Sequence, residues 1–215
     1  MARVLLWVSV AGCLSGCAGP ERVDEPVVRR IAGKTIEGNY VSPAAYQYYL
    51  EAELRRGSGQ LGEAAQSLHY AVTSDPASAY LHAQLGEVLL EQGKLDEATQ
   101  EVERALALDS QFPEALIAGA RVKATRGDLV AAESLARKAL NIDRQNETAY
   151  LFFVDFYGRQ KKAEARADAW RQFSENSPVV ALRALRRTLA AETLSIDERV
   201  YLESLCRSIE KLGKR

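Results

Sequence analysis

Gly93-Lys94-Leu95-Asp96-Glu97-Ala98 is the stretch on which the fold turns, because its Gly, Leu and Ala return at one fixed distance on both sides. Thirty-four residues earlier stand Gly59, Leu61 and Ala64, and thirty-four later Gly127, Leu129 and Ala132. Working outward, the chain divides into blocks 45–78, 79–112, 113–146 and 147–180. The eighth position of the blocks reads Ala52, Gly86, Ala120 and then Val154, and the twenty-seventh reads Ala71, Ala105 and Ala139. The thirty-first is Asp75, Asp109 and Asp143, and Pro76 and Pro178 both fall at the thirty-second. A period of this length signals a stack of supersecondary units.

The pattern has a mechanical reading. Two short helices, A and B, cross closely only where their contact points are Ala or Gly. The glycine at position 15 is expected to end helix A, where a left-handed residue costs little only for Gly. Asp or Pro at positions 31 and 32 ends helix B and begins the next turn. Leucine at position 17 is expected to plug the gap between neighbouring hairpins. One hairpin cannot cover its own apolar face, so the units must stack. The fourth block departs, with Val154, Lys161, Arg166 and Phe173 where small residues stand elsewhere, and reads as a degenerate repeat or a cap. Ser42-Pro43 begins the first helix as N-cap and first helical residue. Residues 179–191 are helical in composition. Ser195-Ile196-Asp197-Glu198 is a capping box opening a last helix, whose apolar stripe is Leu202, Leu205, Cys206, Ile209 and Leu212. The expectation is an all-α chain: an α-solenoid of antiparallel helix hairpins with about ten helices, four repeats over 42–180 and a cap over 181–215.

These residues resemble the tetratricopeptide repeat family, and the second block resembles it most, through Leu85-Gly86, Gly93 to Ala98, and Ala105. The resemblance covers 45–146 firmly and 147–180 weakly. It implies a right-handed superhelix whose helices A line a concave groove with positions 2, 5, 9 and 12. Carried over, these are Tyr46, Tyr49, Glu53 and Arg56; Tyr80, Ala83, Glu87 and Leu90; Glu114, Ile117, Arg121 and Ala124; and Thr148, Leu151 and Asp155. Such a groove is aromatic and acidic, suited to a ligand with basic and apolar side chains. Tyrosines are enriched at binding hot spots, although packing between adjacent hairpins is an equally open role for these three. The Lys/Asn clamp that some family members use for C-terminal carboxylates is missing.

The N-terminus reads separately. Met1-Ala2-Arg3 and an apolar run from Val4 to about Leu14 form a secretory signal, too short to span a bilayer. Leu14-Ser15-Gly16-Cys17 resembles the bacterial lipobox, with Val10-Ala11-Gly12-Cys13 as a second match and Cys17 preferred. The resemblance implies a signal peptide over 1–16, fatty acyl chains of the palmitate kind on Cys17 and membrane attachment through them. Ala18 in place of Asp implies the outer membrane, facing the periplasm. Residues 17–41 read as a lipidated tether with Gly19-Pro20, Pro26, Gly33 and Gly38. Within it, Val27-Val28-Arg29-Arg30-Ile31 leaves strand pairing or a partner contact open, with a flexible spacer preferred.

Composition bounds the remaining chemistry. With 47% hydrophobic and 27% charged residues and a net charge of −1, the chain is a folded protein with no overall nucleic-acid signature. The excess charge is acidic over residues 1–158 and basic over 159–215, where Arg183, Arg186 and Arg187 share a helical turn. His69 and His82 are the only histidines, and no catalytic or metal constellation is visible; no cofactor and no small-molecule substrate are expected. Cys206 sits on an apolar stripe and reads as a buried thiol. The preferred function is a non-catalytic protein-binding or assembly scaffold of the bacterial envelope, holding a protein or peptide. The specific alternative is a pilotin-like factor for secretin assembly, since lipobox, tether and repeats resemble that lipoprotein type. Less favoured are a basic C-terminal part that binds anionic lipid or nucleic acid, and a subunit of an enzyme.

Overall fold

The computed structural model describes residues 27–31, 34–38, 42–191 and 194–212. The expected signal peptide, both candidate lipid cysteines and the rest of the expected tether lie outside these residues. The chain forms two compact units, 1–41 and 42–215. In the first, β1 (Val27–Ile31) pairs antiparallel with β2 (Lys34–Gly38), Val27 opposite Gly38 and Ile31 opposite Lys34. Strand pairing, left open in the sequence beside a partner contact and the preferred flexible spacer, is realised between 27–31 and 34–38.

The second unit is all helix: α1 (Pro43–Gly57), α2 (Leu61–Ser74), α3 (Ala79–Glu91), α4 (Leu95–Leu108), α5 (Pro113–Thr125), α6 (Leu129–Ile142), α7 (Glu147–Arg159), α8 (Ala163–Asn176), α9 (Pro178–Ala191) and α10 (Ile196–Leu212). Consecutive helices pair as hairpins, α3 packs on α5 and α5 on α7, and α10 packs on α8 and α9. This is the expected α-solenoid of antiparallel hairpins. The cap begins at Pro178, three residues before the expected boundary, because Ser177 already caps α8.

The repeating residues do what their spacing requires. Gly59, Gly93 and Gly127 have φ of +77°, +77° and +84°. After Gln92 caps α3, Gly93 N–H donates to Leu90 O at 3.0 Å and Lys94 N–H to Leu89 O at 2.9 Å, the paired bonds of a Schellman turn. The same two bonds recur at Gly59–Gln60, Gly127–Asp128 and Lys161–Lys162. Asp75, Asp109 and Asp143 cap α2, α4 and α6. Ala52, Ala64, Ala71, Ala98, Ala105, Ala120, Ala132 and Ala139 are all buried. At Gly86 a methyl group would sit 2.7 Å from Val102 Cγ2 and 3.3 Å from Ala98 O, so helices A and B cross at positions 8 and 20.

Position 17 behaves differently from expectation. Leu61 and Leu95 are half-buried and Leu129 is 40% exposed, because each opens a helix B at the rim of its hairpin. Position 28 closes the gap instead: Leu106 packs against three separate buried clusters, Val72 against two, and Leu140 against the C-terminal one.

The fourth block is a true hairpin with altered chemistry. Lys161 takes the glycine position at φ +56°, in the left-handed region. An L-residue there carries a penalty of about 1–2 kcal/mol, and Gly is more flexible when unfolded, so Lys161→Gly is expected to raise stability by about 1 kcal/mol. Urea denaturation monitored by circular dichroism checks this. Arg166 replaces the crossing alanine, and Gly158 makes room for it: a methyl group at 158 would lie 3.1 Å from Arg166 Nε. The guanidinium then reaches α10, where Arg166 Nη1 donates to Glu198 Oε1 at 2.8 Å. Glu198 is therefore committed to Arg166, and the capping box is half made, with Glu198 N–H donating to Ser195 Oγ at 3.2 Å. Tyr201 Oη donates to Ala167 O at 3.1 Å, a second tie between cap and repeat. Leu202, Cys206 and Ile209 are buried as the stripe requires; the Leu212 side chain lies outside the described residues. Burial pushes the Cys206 thiol above its ordinary range.

Candidate functional site: the helix A face

The candidate groove residues sort into three kinds. Ala83 and Ile117 are buried at 1% and 0% and Glu87 at 9%, which corrects their reading as surface a partner touches. Ala83 packs with Ala105 and Ala115, Ile117 lies in the C-terminal core and Glu87 lies under Arg121, so these three side chains are sealed by the stack. Tyr49, Glu53, Arg56, Tyr80, Leu90, Glu114, Arg121 and Ala124 are half-buried, whereas Tyr46, Leu151 and Asp155 are exposed, as is Thr148.

Several half-buried residues bridge consecutive helices A. The Tyr49 and Tyr80 hydroxyls are 2.6 Å apart, and their rings meet edge to face at 5.3 Å. Tyr80 in turn meets Phe112 edge to face at 6.3 Å, so three rings run from α1 to the start of α5. Desolvation, followed by the Tyr49 hydrogen bond, holds the Tyr80 hydroxyl well above the usual tyrosine range. Arg56 grips Glu91 with Nε at 3.2 Å and with Nη2, and reaches Gln84 at 3.4 Å. Arg121 donates to Glu87 at 3.1 Å. Phe112, Gln84 and Glu91 were missed by the position rule. An aromatic directly before Pro113, at the N-cap of α5, was the one available signal for Phe112.

Burial pushes the Glu87 carboxyl above the ordinary range, and Arg121 and Arg56 only partly offset this. The folded state therefore binds more protons at this group than the unfolded chain, and stability falls as pH rises through the carboxylate range. Glu87→Gln keeps an acceptor for Arg121 and removes the penalty. Its stability relative to the wild type is expected to increase between about pH 4 and pH 7, as chemical denaturation across that range will show.

With Arg56 and Arg121 tied to their own carboxylates, the charges left for a partner are acidic. Glu53 and Glu114 have no ion pair among the described residues, and Asp155 pairs only with Arg159 on its own helix at 2.8 Å. His82 lies apart as a core bridge, Nδ1 2.7 Å from Glu101 and Nε2 3.2 Å from Pro76 O. Among the described residues, no group of three His, Cys, Asp or Glu is placed to hold a metal ion, and no helix is long and apolar enough to cross a membrane.

The tetratricopeptide repeat family profile matches residues 55–122, which run from the end of α1 through α5. That span contains the crossing residues Ala64, Gly86, Ala98 and Ala120 and the left-handed Gly59 and Gly93.

Residues 55–122 are tetratricopeptide repeats.

The solved structures similar to this chain are distant. The Arabidopsis OM64 TPR domain is 18% identical, with a TM-score of 0.49 over 56% of this chain and 99% of that one. The first TPR of Spaghetti (RPAP3), solved with the HSP90 peptide SRMEEVD, is 16% identical with a TM-score of 0.49, covering 56% of this chain and 95% of that one. MamA is 16% identical with a TM-score of 0.48, covering 80% of this chain and 88% of that one. No curated protein sequence matches the chain. The helix hairpins extend beyond the profile match: α7 and α8 keep the hairpin and the turn bonds while exchanging alanines for aromatics and Arg166.

Proposed function

We propose that this protein is a non-catalytic scaffold whose helix A face holds a protein segment bearing basic and apolar side chains. The observation that carries the reading is the pairing of aromatic surface with acid: the half-buried rings of Tyr49 and Tyr80 beside Glu53 and Glu114, neither of which forms an ion pair among the described residues. Rim charges of this kind set on-rate and specificity, while aromatic rings supply contact area at low entropic cost.

The test is peptide capture. Fluorescence anisotropy against a panel of labelled peptides is expected to favour Lys/Arg-containing apolar sequences over acidic ones, with affinity falling as salt rises. Glu53→Gln combined with Glu114→Gln is expected to weaken the preferred peptide about 5- to 30-fold, at about 0.5–1 kcal/mol per exposed charge. Equal binding of acidic and basic peptides contradicts the proposal.

The finer reading places the scaffold at the outer membrane, anchored through Cys17 and facing the periplasm. Its support is the Leu14-Ser15-Gly16-Cys17 lipobox followed by Ala18. Mass analysis of the mature protein that finds Cys17 without fatty acid removes it. A pilotin role toward a secretin subunit rests on the joint occurrence of lipobox and repeats, and a pull-down from envelope extracts that brings no secretin removes that role alone.

A further inference from the structure

The first repeat presents a face that every later repeat buries. Positions 6 and 10 of helix A are Gln84 and Val88 in α3, Ala118 and Val122 in α5, and Phe152 and Phe156 in α7. Gln84 is half-buried against Arg56, and the other five are buried. They are covered by the hairpin before them: Val88 shares a cluster with Ala52, Ala64 and Leu68, and Phe156 shares one with Leu116, Ala120 and Ala132. In α1 the same positions are Leu50 and Leu54, which are 44% and 75% exposed. Tyr46 continues the stripe one turn earlier at 55% exposed, and Tyr70 of α2, leaning on Tyr48 with centroids 5.3 Å apart, is 49% exposed.

We propose that a second copy of this chain covers that face, the two copies meeting through their first hairpins about a two-fold axis. Three features favour this occupant. Residues 46 and 54 lie one turn either side of 50, so antiparallel α1 helices centred on Leu50 set each Leu54 beside the other copy's Tyr46. The face is electrically self-contained: Arg55 is held by Glu63 and by Glu51 at 3.4 Å, so two like faces meet without unpaired like charges. Among the described residues, head-to-tail stacking has no matching surface, because α10 closes the other end with Arg199, Glu203, Arg207 and Lys211 turned outward, relieved by Ile196 and Val200 at its start. The four apolar side chains offer roughly 400 Å² per copy, the patch size that marks a contact site on a soluble protein. Doubled and rimmed by the polar groups of α1, that approaches the lower end of specific interfaces, about 1,200 Å², so the dimer is concentration-dependent.

The test is sedimentation velocity of the full chain in density-matched detergent from about 1 to 100 µM, a range that spans the affinities of small interfaces. The expected result is conversion from the 23.7 kDa monomer to a species of twice that mass. Leu50→Glu with Leu54→Glu, at exposed positions, is expected to keep its helical circular dichroism and to raise the dissociation constant at least 30-fold. A photocrosslinker at position 54 of the otherwise native chain is expected to join two copies, which keeps the test valid if the double variant fails to fold. A wild type that stays monomeric at the top of the range, a double variant that dimerises as before, or crosslinks running only to a different protein overturns the proposal.

Discussion

Phe173→Ala is expected to lower unfolding free energy by about 3–5 kcal/mol, the largest loss in this protein from one side chain. The ring is fully buried, stacked on Tyr150 at 5.1 Å and 10° and on Trp170 at 6.1 Å and 17°. It stands at position 27, where the first three repeats have alanine and where truncation would merely restore the usual residue. Here it cannot, because the hairpin α7–α8 has built its core around aromatics: Phe152, Phe153, Phe156 and Tyr157 fill the space that an Ala–Ala crossing would close. Removing the ring leaves a cavity the repeat cannot collapse onto. Because each repeat contacts only its neighbours, the loss should be local first. Equilibrium urea denaturation gives the magnitude, and hydrogen exchange is expected to loosen α7 to α10 before α1 to α4. An unchanged midpoint would show that the aromatic cluster repacks freely.

Tyr80→Ala is the second large effect, on binding. Tyr80 is the middle ring of the Tyr49–Tyr80–Phe112 ladder, and its hydroxyl meets that of Tyr49 at 2.6 Å. Truncation removes contact area, frees Tyr49 and breaks the aromatic continuity between helices A. A hot-spot loss of about 2–3 kcal/mol, or roughly 30- to 150-fold in affinity for the preferred peptide, is expected, with helicity nearly unchanged. Tyr80→Phe keeps the rings and loses only the hydroxyl pair, so it is expected to retain most of the affinity. Isothermal calorimetry beside thermal denaturation separates the two. If both variants unfold the first repeats, the tyrosines belong to the core.

The fold was legible where one residue has one possible job. Gly59, Gly93 and Gly127 mark left-handed turns, and Asp75, Asp109 and Asp143 mark helix ends, so element boundaries follow from spacing alone. Where partners lie far apart in sequence, legibility ends. Nothing local ties Gly158 to Arg166 and Glu198, yet together they explain why the fourth repeat abandons its small residues: its second helix is a strut for the cap. The helix A face was legible as a list of positions but not as a surface. Arg121 looks like a ligand-facing cation until Glu87 claims it, and Ala83 and Ile117 look open until the neighbouring repeats seal them. That sorting depends on the tilt between repeats, which no single period encodes.

The proposed function requires that a protein segment lie along the helix A face of the first three repeats. Photocrosslinking in cells from position 53 or 90 on that face, set against positions 108 and 130 at exposed sites on helices B, followed by mass spectrometry, tests it most directly. Positions 53 and 90 are expected to capture one common protein through a segment rich in basic and apolar residues, while positions 108 and 130 do not. Capture of that protein from positions 108 and 130 alone would contradict it.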